Sequence, residues 1–286
     1  MDVGDLKKRL PGATFSILAV AALIYFSQNP ILQIFLVLIV ALLAVVGIWE
    51  YVQLLHSKKI EAPFWLLAVL AVCFVFANYL AVLNIGMSLV LGFVIVAFFF
   101  SLFLYHFYKI ENAIVNLATS FFGTCYVAVP LGLMIRILYP TPSMGSTTDG
   151  SMWLTYLIVV TKITDMGAYF GGKLLGRSKL APHLSPKKTI AGSVSGFFAA
   201  VIVSIIFYLF GKMVPDTLFK MSFIQSICLG GLLGVFSQLG DLAESLLKRD
   251  ANVKDSNKIA GLGGVLDTLD SLLFTTPIVY LYMKTL

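Results

Sequence analysis

The chain has 286 residues, of which 59% are hydrophobic and 12% charged, against roughly 45–50% and about 25% in an ordinary soluble domain. That balance excludes a water-soluble globular fold. It also removes nucleic acid as the reason for the net charge of +6, because basic residues in a membrane protein chiefly set orientation.

Crossing a bilayer takes about 20 apolar residues, and runs of that kind recur along almost the whole sequence. Apolar runs and their breakers predict nine spans, near 12–27, 31–54, 63–83, 86–107, 113–139, 152–171, 190–210, 223–247 and 265–284. The basic and apolar start resembles a signal peptide, but further apolar segments follow at once, so a retained first span is expected. No loop between runs reaches 25 residues. The expected fold is therefore an all-α polytopic membrane protein forming one integral domain over 1–286, with N-terminal spans in 1–150 and C-terminal spans in 151–286. The three cysteines, Cys73, Cys125 and Cys228, lie in apolar runs without metal-like spacing and read as buried packing residues rather than a disulfide framework.

Lysine and arginine orient this map. With the N-terminus cytosolic, the cytosolic segments hold fifteen of the twenty basic residues, from Lys7, Lys8 and Arg9 through Lys187 and Lys188 to Lys248, Arg249, Lys254 and Lys258. Lys212, Lys220, Lys284 and Arg136 fall to the other side, and Lys162 lies within a span. This is the asymmetry of the positive-inside rule, and it places the C-terminus outside.

The acids carry the chemistry. Asp165, Asp241, Glu244, Asp267 and Asp270 all fall at the cytosolic ends of spans six, eight and nine. Carboxylates at membrane depth are costly and normally face a polar cavity, a partner or a metal. Asp241, Glu244, Ser245 and Lys248 follow i, i+3, i+4, i+7, one face of a helix; Asp267, Asp270 and Ser271 repeat the pattern, and Lys162 stands three residues before Asp165. Ion pairing within each stripe is one explanation. Three converging stripes suggest hard oxygen ligands for Mg²⁺ with cations beside them for phosphate. Glu50, alone at the end of span two, is expected to reach headgroup water. Zinc is not expected, since His56, His106 and His183 are scattered in loops without spaced cysteines.

Two glycine-rich stretches need separating. "GAYFGGKL", 167–174, nearly fits the phosphate-loop pattern, but Leu174 replaces the metal-holding hydroxyl and no strand precedes it. Gly171, Gly172 and Gly176 are expected to serve close helix approach or a turn. "GLGG", 261–264, precedes span nine, whose free N–H groups and positive dipole end favour an anion. "LSPKKTIAGSVSG", 184–196, reads as a helix start, with Pro186 in the first turn, Thr189 a candidate cap and Gly192 and Gly196 a small packing face. Lys187 and Lys188 meet the headgroup layer there.

Taken together, Ser245, Lys248-Arg249, a four-residue gap, Lys254-Asp255-Ser256, then Gly263-Gly264, Asp267 and Asp270 resemble the signature of phosphatidate cytidylyltransferases, S-x-x-K-R-x4-K-D followed by H-G-G and D-R-x-D. "TDMGAYFGGKLLGRSKLAPHLSPKKT" and "GDLAESLLKR" resemble two further family segments, so the likeness covers about 150–286. Two positions depart from the pattern: Leu262 replaces the usual histidine and Thr268 the usual arginine, with Lys258 the substitute cation that the sequence offers. The segment before the glycines is one residue short.

The resemblance implies transfer of the cytidylyl group of CTP to phosphatidic acid, with Mg²⁺ and room for a second cation, in the inner (cytoplasmic) membrane, and it is compatible with a homodimer. Asp241, Asp267, Asp270 and Asp165 are the expected metal ligands, and Asp241, Lys248, Asp267 and Asp270 the catalytic set. Ser245, Arg249, Lys254, Asp255, Gly263, Gly264, Lys187 and Lys188 are expected to bind substrate. A CTP-dependent lipid-alcohol kinase would share the metal and cytidine chemistry. A cation-coupled transporter would place its acids nearer the midplane, and the paired-aspartate pattern of CDP-alcohol phosphotransferases does not occur.

Overall fold

The computed structural model describes residues 24–83, 88–140, 149–214, 219–253 and 264–285. Eight long helices lie among them: α1 (Pro30–Ser57), α2 (Phe64–Leu83), α3 (Ser88–His106), α4 (Ala113–Leu138), α5 (Gly150–Leu175), α6 (Ile190–Met213), α7 (Phe223–Asp250) and α8 (Val265–Met283). They correspond to the second through ninth expected spans. Most of the first, 12–27, falls outside the described residues. Six helices, α1 to α4, α6 and α7, are long and apolar enough to cross a membrane by length and composition. The other two, α5 and α8, are broken up by Lys162, Asp165 and Lys173 and by Asp267 and Asp270.

Local chemistry explains where the helices begin. Asn29 accepts from Ile31 N ahead of Pro30, Asp149 accepts from Met152 N, and Ser222 with Gln225 forms a reciprocal capping box at α7. Thr189 caps α6 through Gly192 N at 3.1 Å, as expected. The preceding segment corrects the sequence reading. Ser185–Thr189 is a strand, β2, paired antiparallel with β1 (Lys179–Ala181), so Pro186 lies in a hairpin and not in a first helical turn. A two-stranded ribbon at the surface tolerates proline because its outer edge needs no donor.

The C-terminal helices pack through small residues and shared hydroxyls. A Cβ at Gly192 or Gly196 of α6 would stand 2.6 Å from Ala168 O or 2.8 Å from Thr164 O of α5, so these glycines admit the α5 backbone, the small-residue packing of membrane helices. Tyr156 Oη lies 2.8 Å from Ser204 Oγ, Ser204 donates to Ser226 O at 2.6 Å, and Thr161 and Thr275 hydroxyls meet at 3.0 Å. Where lipid is as apolar as leucine, such bonds replace part of the missing hydrophobic drive. The cysteines run against expectation. Cys73 and Cys228 are exposed and Cys125 is half-buried, all as free thiols. An apolar side chain in a bilayer protein has no need of the interior.

Helices α7 and α8 touch at Gly240, where a Cβ would stand 2.4 Å from Asp270 O and 3.0 Å from Ser271 Cα. Both neighbours are backbone and cannot swing aside. Gly240→Val is therefore expected to force the helices apart at a cost of about 1–3 kcal/mol and lower the thermal midpoint in detergent. Melting alongside the unsubstituted protein would refute this contact.

Candidate active site

The close approach at Gly240 sets acids from α7 and α8 against each other. Ligand atoms of Asp241, Glu244 and Asp270 all lie within 4.8 Å of one another. Glu244 is 2% exposed and Asp270 6%, and Glu244 Oε1 is buried with no hydrogen-bond partner among the described residues. An orphaned carboxylate oxygen beside two further carboxylates fits a hard divalent cation, which prefers several oxygen ligands. Asp165 of α5 faces the same region: its Oδ1 accepts from Ser237 Oγ at 3.1 Å and Ser271 Oγ at 3.3 Å.

Three lysines from three elements line this acidic centre. Lys188 of β2 reaches Asp241 Oδ2 at 2.7 Å. Lys248 of α7 lies 2.8 Å from Glu244 Oε2 and also pairs with Asp267. Lys162 of α5 donates to Thr268 O at 2.8 Å and stands 3.8 Å from Asp165 Oδ2. Buried charges persist only when paired or hydrogen-bonded in this way.

Several side chains differ from their sequence reading. Glu50 does not reach headgroup water. It is 1% exposed, and its two carboxylate oxygens accept from Val265 N at 2.8 Å and Leu266 N at 2.7 Å. Gly264, the N-cap, has no side chain to offer, so an acid from α1 caps α8 and meets its positive dipole end. Those two first-turn N–H groups are thus not open to a substrate anion. Lys248, at the cytosolic end of its stripe, does not extend into solvent: its side chain is 14% exposed and turns inward between two acids. Arg249 points away from the stripe, as helical spacing requires, and its Nε donates to Leu184 O in the hairpin loop at 3.2 Å. Lys187 is exposed on β2 and Ser245 half-buried on α7. Lys254, Asp255 and Gly263, with Lys258 and Leu262, lie outside the described residues. His106 is 4% exposed at the end of α3 and not in a loop.

The sequence reading did not assign Glu244 as a ligand, although the i, i+3 stripe already held it. Asp267, expected as a ligand, has a side chain 33% exposed and pairs with Lys248. Glu50 carried no usable signal, because its partners are 215 and 216 residues away.

Residues 7–286 match the Cytidylyltransferase family. A phosphatidate cytidylyltransferase of Chlamydia pneumoniae is 34% identical over 292 residues, covering 98% of this chain and 92% of the relative. One from Chlamydia muridarum is 41% identical over 161 residues, covering 56% of this chain and 52% of the relative. One from Bacillus subtilis is 43% identical over 132 residues, covering 46% and 47%.

Proposed function

The chain belongs to the cytidylyltransferase family, and from its site we infer that it transfers the cytidylyl group of CTP to phosphatidic acid, giving CDP-diacylglycerol and pyrophosphate. The observation that carries this reading is the meeting of Asp241, Glu244 and Asp270 with Lys188 of the hairpin, Lys248 of α7 and Lys162 of α5. A phosphate-rich substrate pair needs cations beside carboxylates, and the cluster offers both.

In the reaction a phosphate oxygen of phosphatidate attacks the α-phosphorus of CTP. A new P–O bond forms as the bond to the bridging oxygen breaks, and pyrophosphate leaves. The attacking monoester is already anionic near pH 7, with unprotonated oxygens to act as nucleophile, so no strong base is required. What the protein must supply is alignment and charge neutralisation.

Asp241, Glu244 and Asp270 would hold Mg²⁺, and Asp165, facing the same region from α5, is assigned to a second cation. When bound, Mg²⁺ neutralises phosphate oxygens and eases departure of pyrophosphate. Lys188, touching Asp241 from the hairpin, is placed to draw the lipid phosphate toward the metal carboxylates, with exposed Lys187 beside it at the headgroup layer. Lys248, with Lys254 and the Gly263–Gly264 segment, is assigned to the CTP phosphates. Purified protein supplied with labelled CTP, phosphatidic acid and Mg²⁺ should yield a CDP-lipid and pyrophosphate. A phosphorylated lipid with CDP would instead identify the lipid-alcohol kinase.

The membrane arrangement belongs to the same proposal: one integral domain of nine spans in the inner membrane, N-terminus cytosolic, with the acids at the cytosolic ends of α5, α7 and α8. Phosphatidate lies in that leaflet and CTP arrives from the cytosol. Ser178, exposed just before the hairpin, tests it. In a chain lacking Cys73, Cys125 and Cys228, Ser178→Cys should resist impermeant thiol reagents in intact cells and react in inverted vesicles. Labelling in intact cells would overturn both the topology and the cytosolic site.

A further inference from the structure

We propose that Lys162 supplies, from α5, the phosphate-binding cation that α8 lacks at position 268. The proposal rests on the cytidylyl-transfer reading and names a further residue for it. Thr268 lies between the two α8 acids, where the resembling signature carries a cation. Its side chain is exposed, and its Oγ1 turns back to Gly264 O at 3.0 Å, so it brings neither charge nor reach to that position. Lys162 reaches that place from the neighbouring helix, with Nζ 2.8 Å from Thr268 O.

The pairing of Lys162 sets it apart from the other two lysines of the site. Lys188 and Lys248 lie 2.7 Å and 2.8 Å from carboxylate oxygens. Lys162 Nζ instead donates at 2.8 Å to a neutral carbonyl, and Asp165 Oδ2, at 3.8 Å, is beyond hydrogen-bond length. An ammonium whose only task was to neutralise Asp165, three residues along the same helix, would close that gap. Instead it extends across to α8, and its side chain remains 39% exposed. An ammonium has three donors, and this one holds charge in reserve for an incoming anion. A basic residue at membrane depth is costly and usually serves a site. The ligand is a phosphate oxygen, of CTP or of phosphatidate.

The test uses the full chain in detergent with labelled CTP, phosphatidic acid and Mg²⁺. Lys162→Met should lower kcat/KM by about thirtyfold, as expected for losing one charge-assisted hydrogen bond. Adding Thr268→Arg to that variant should restore at least about tenfold, by returning the cation from α8. Calorimetric titration with CTP alone assigns the source. Weakened binding in Lys162→Met points to the nucleotide, and unchanged binding with a raised phosphatidate KM points to the lipid. If Lys162→Met fails to fold, Lys162→Gln, which keeps a donor for Thr268 O without the charge, takes its place. Activity within threefold of the unsubstituted protein, or a folded double variant as inactive as the single one, would overturn the proposal. An unsubstituted protein that forms no CDP-lipid would instead strike the underlying reading.

Discussion

Replacing Asp241 or Asp270 with asparagine is expected to cut turnover at least about a hundredfold, equivalent to more than about 2.7 kcal/mol of transition-state stabilisation. Asparagine keeps the size and one acceptor but removes the charge that a hard cation requires. Glu244→Gln should behave alike, since its buried Oε1 has no other described partner. Saturating CTP should not recover the loss, because the defect lies in the chemical step and not in nucleotide affinity. Steady-state rates across a Mg²⁺ titration provide the check. Near-normal turnover of both aspartate variants at low Mg²⁺ would show that the metal is held elsewhere. Asp267→Asn tests the acid paired with Lys248: a loss as large as that of Asp270→Asn would return Asp267 to the ligand set.

The second large effect falls on stability as well as rate. Lys248→Met keeps most of the stem but strips the cation from between Glu244 and Asp267. Removing one partner of a buried ion pair leaves an uncompensated charge, at a cost of roughly 3–5 kcal/mol. Most of that cost belongs to Glu244, whose side chain is 3% exposed, while that of Asp267 is 33% exposed and screened. The variant should melt well below the unsubstituted protein and use CTP poorly. Adding Glu244→Gln tests the stability cost alone, since that change removes a metal ligand of its own. It should return much of the thermal midpoint, because the orphaned charge is gone. A double variant that melts as low as Lys248→Met would show that the cost does not come from Glu244.

Much of this was legible in the sequence, and the rest was illegible for physical reasons. Apolar runs located eight helices to within a few residues, because bilayer thickness fixes their length. The 241, 244, 248 stripe was legible because helical spacing fixes which side chains share a face. Spacing says nothing about what lies opposite, so the pairing of Lys248 with Asp267 needed α7 and α8 side by side. The 185–189 strand was hidden because proline and lysines suit a helix start and a short exposed ribbon equally well. Exposure of Cys73 and Cys228 was unreadable for a related reason: in lipid, an apolar side chain satisfies either face. Lys162 was visible as an oddity within a span, but its reach to Thr268 needed α5 and α8 side by side.

Glu50 bears on how the molecule is made. Ribosomes deliver α1 well before α8, and the carboxylate and the amides it caps are 215 and 216 residues apart. At about 5–20 residues per second, Glu50 waits on the order of 10–40 s for them. Throughout that interval an acid destined for 1% exposure must be sheltered by water at the bilayer edge or by the insertion machinery. Helix α8, on arrival, collects its cap from the much earlier α1. Closure of the catalytic end therefore waits for delivery of every intervening segment, and a chain that stalls before α8 keeps Glu50 without the amides it caps.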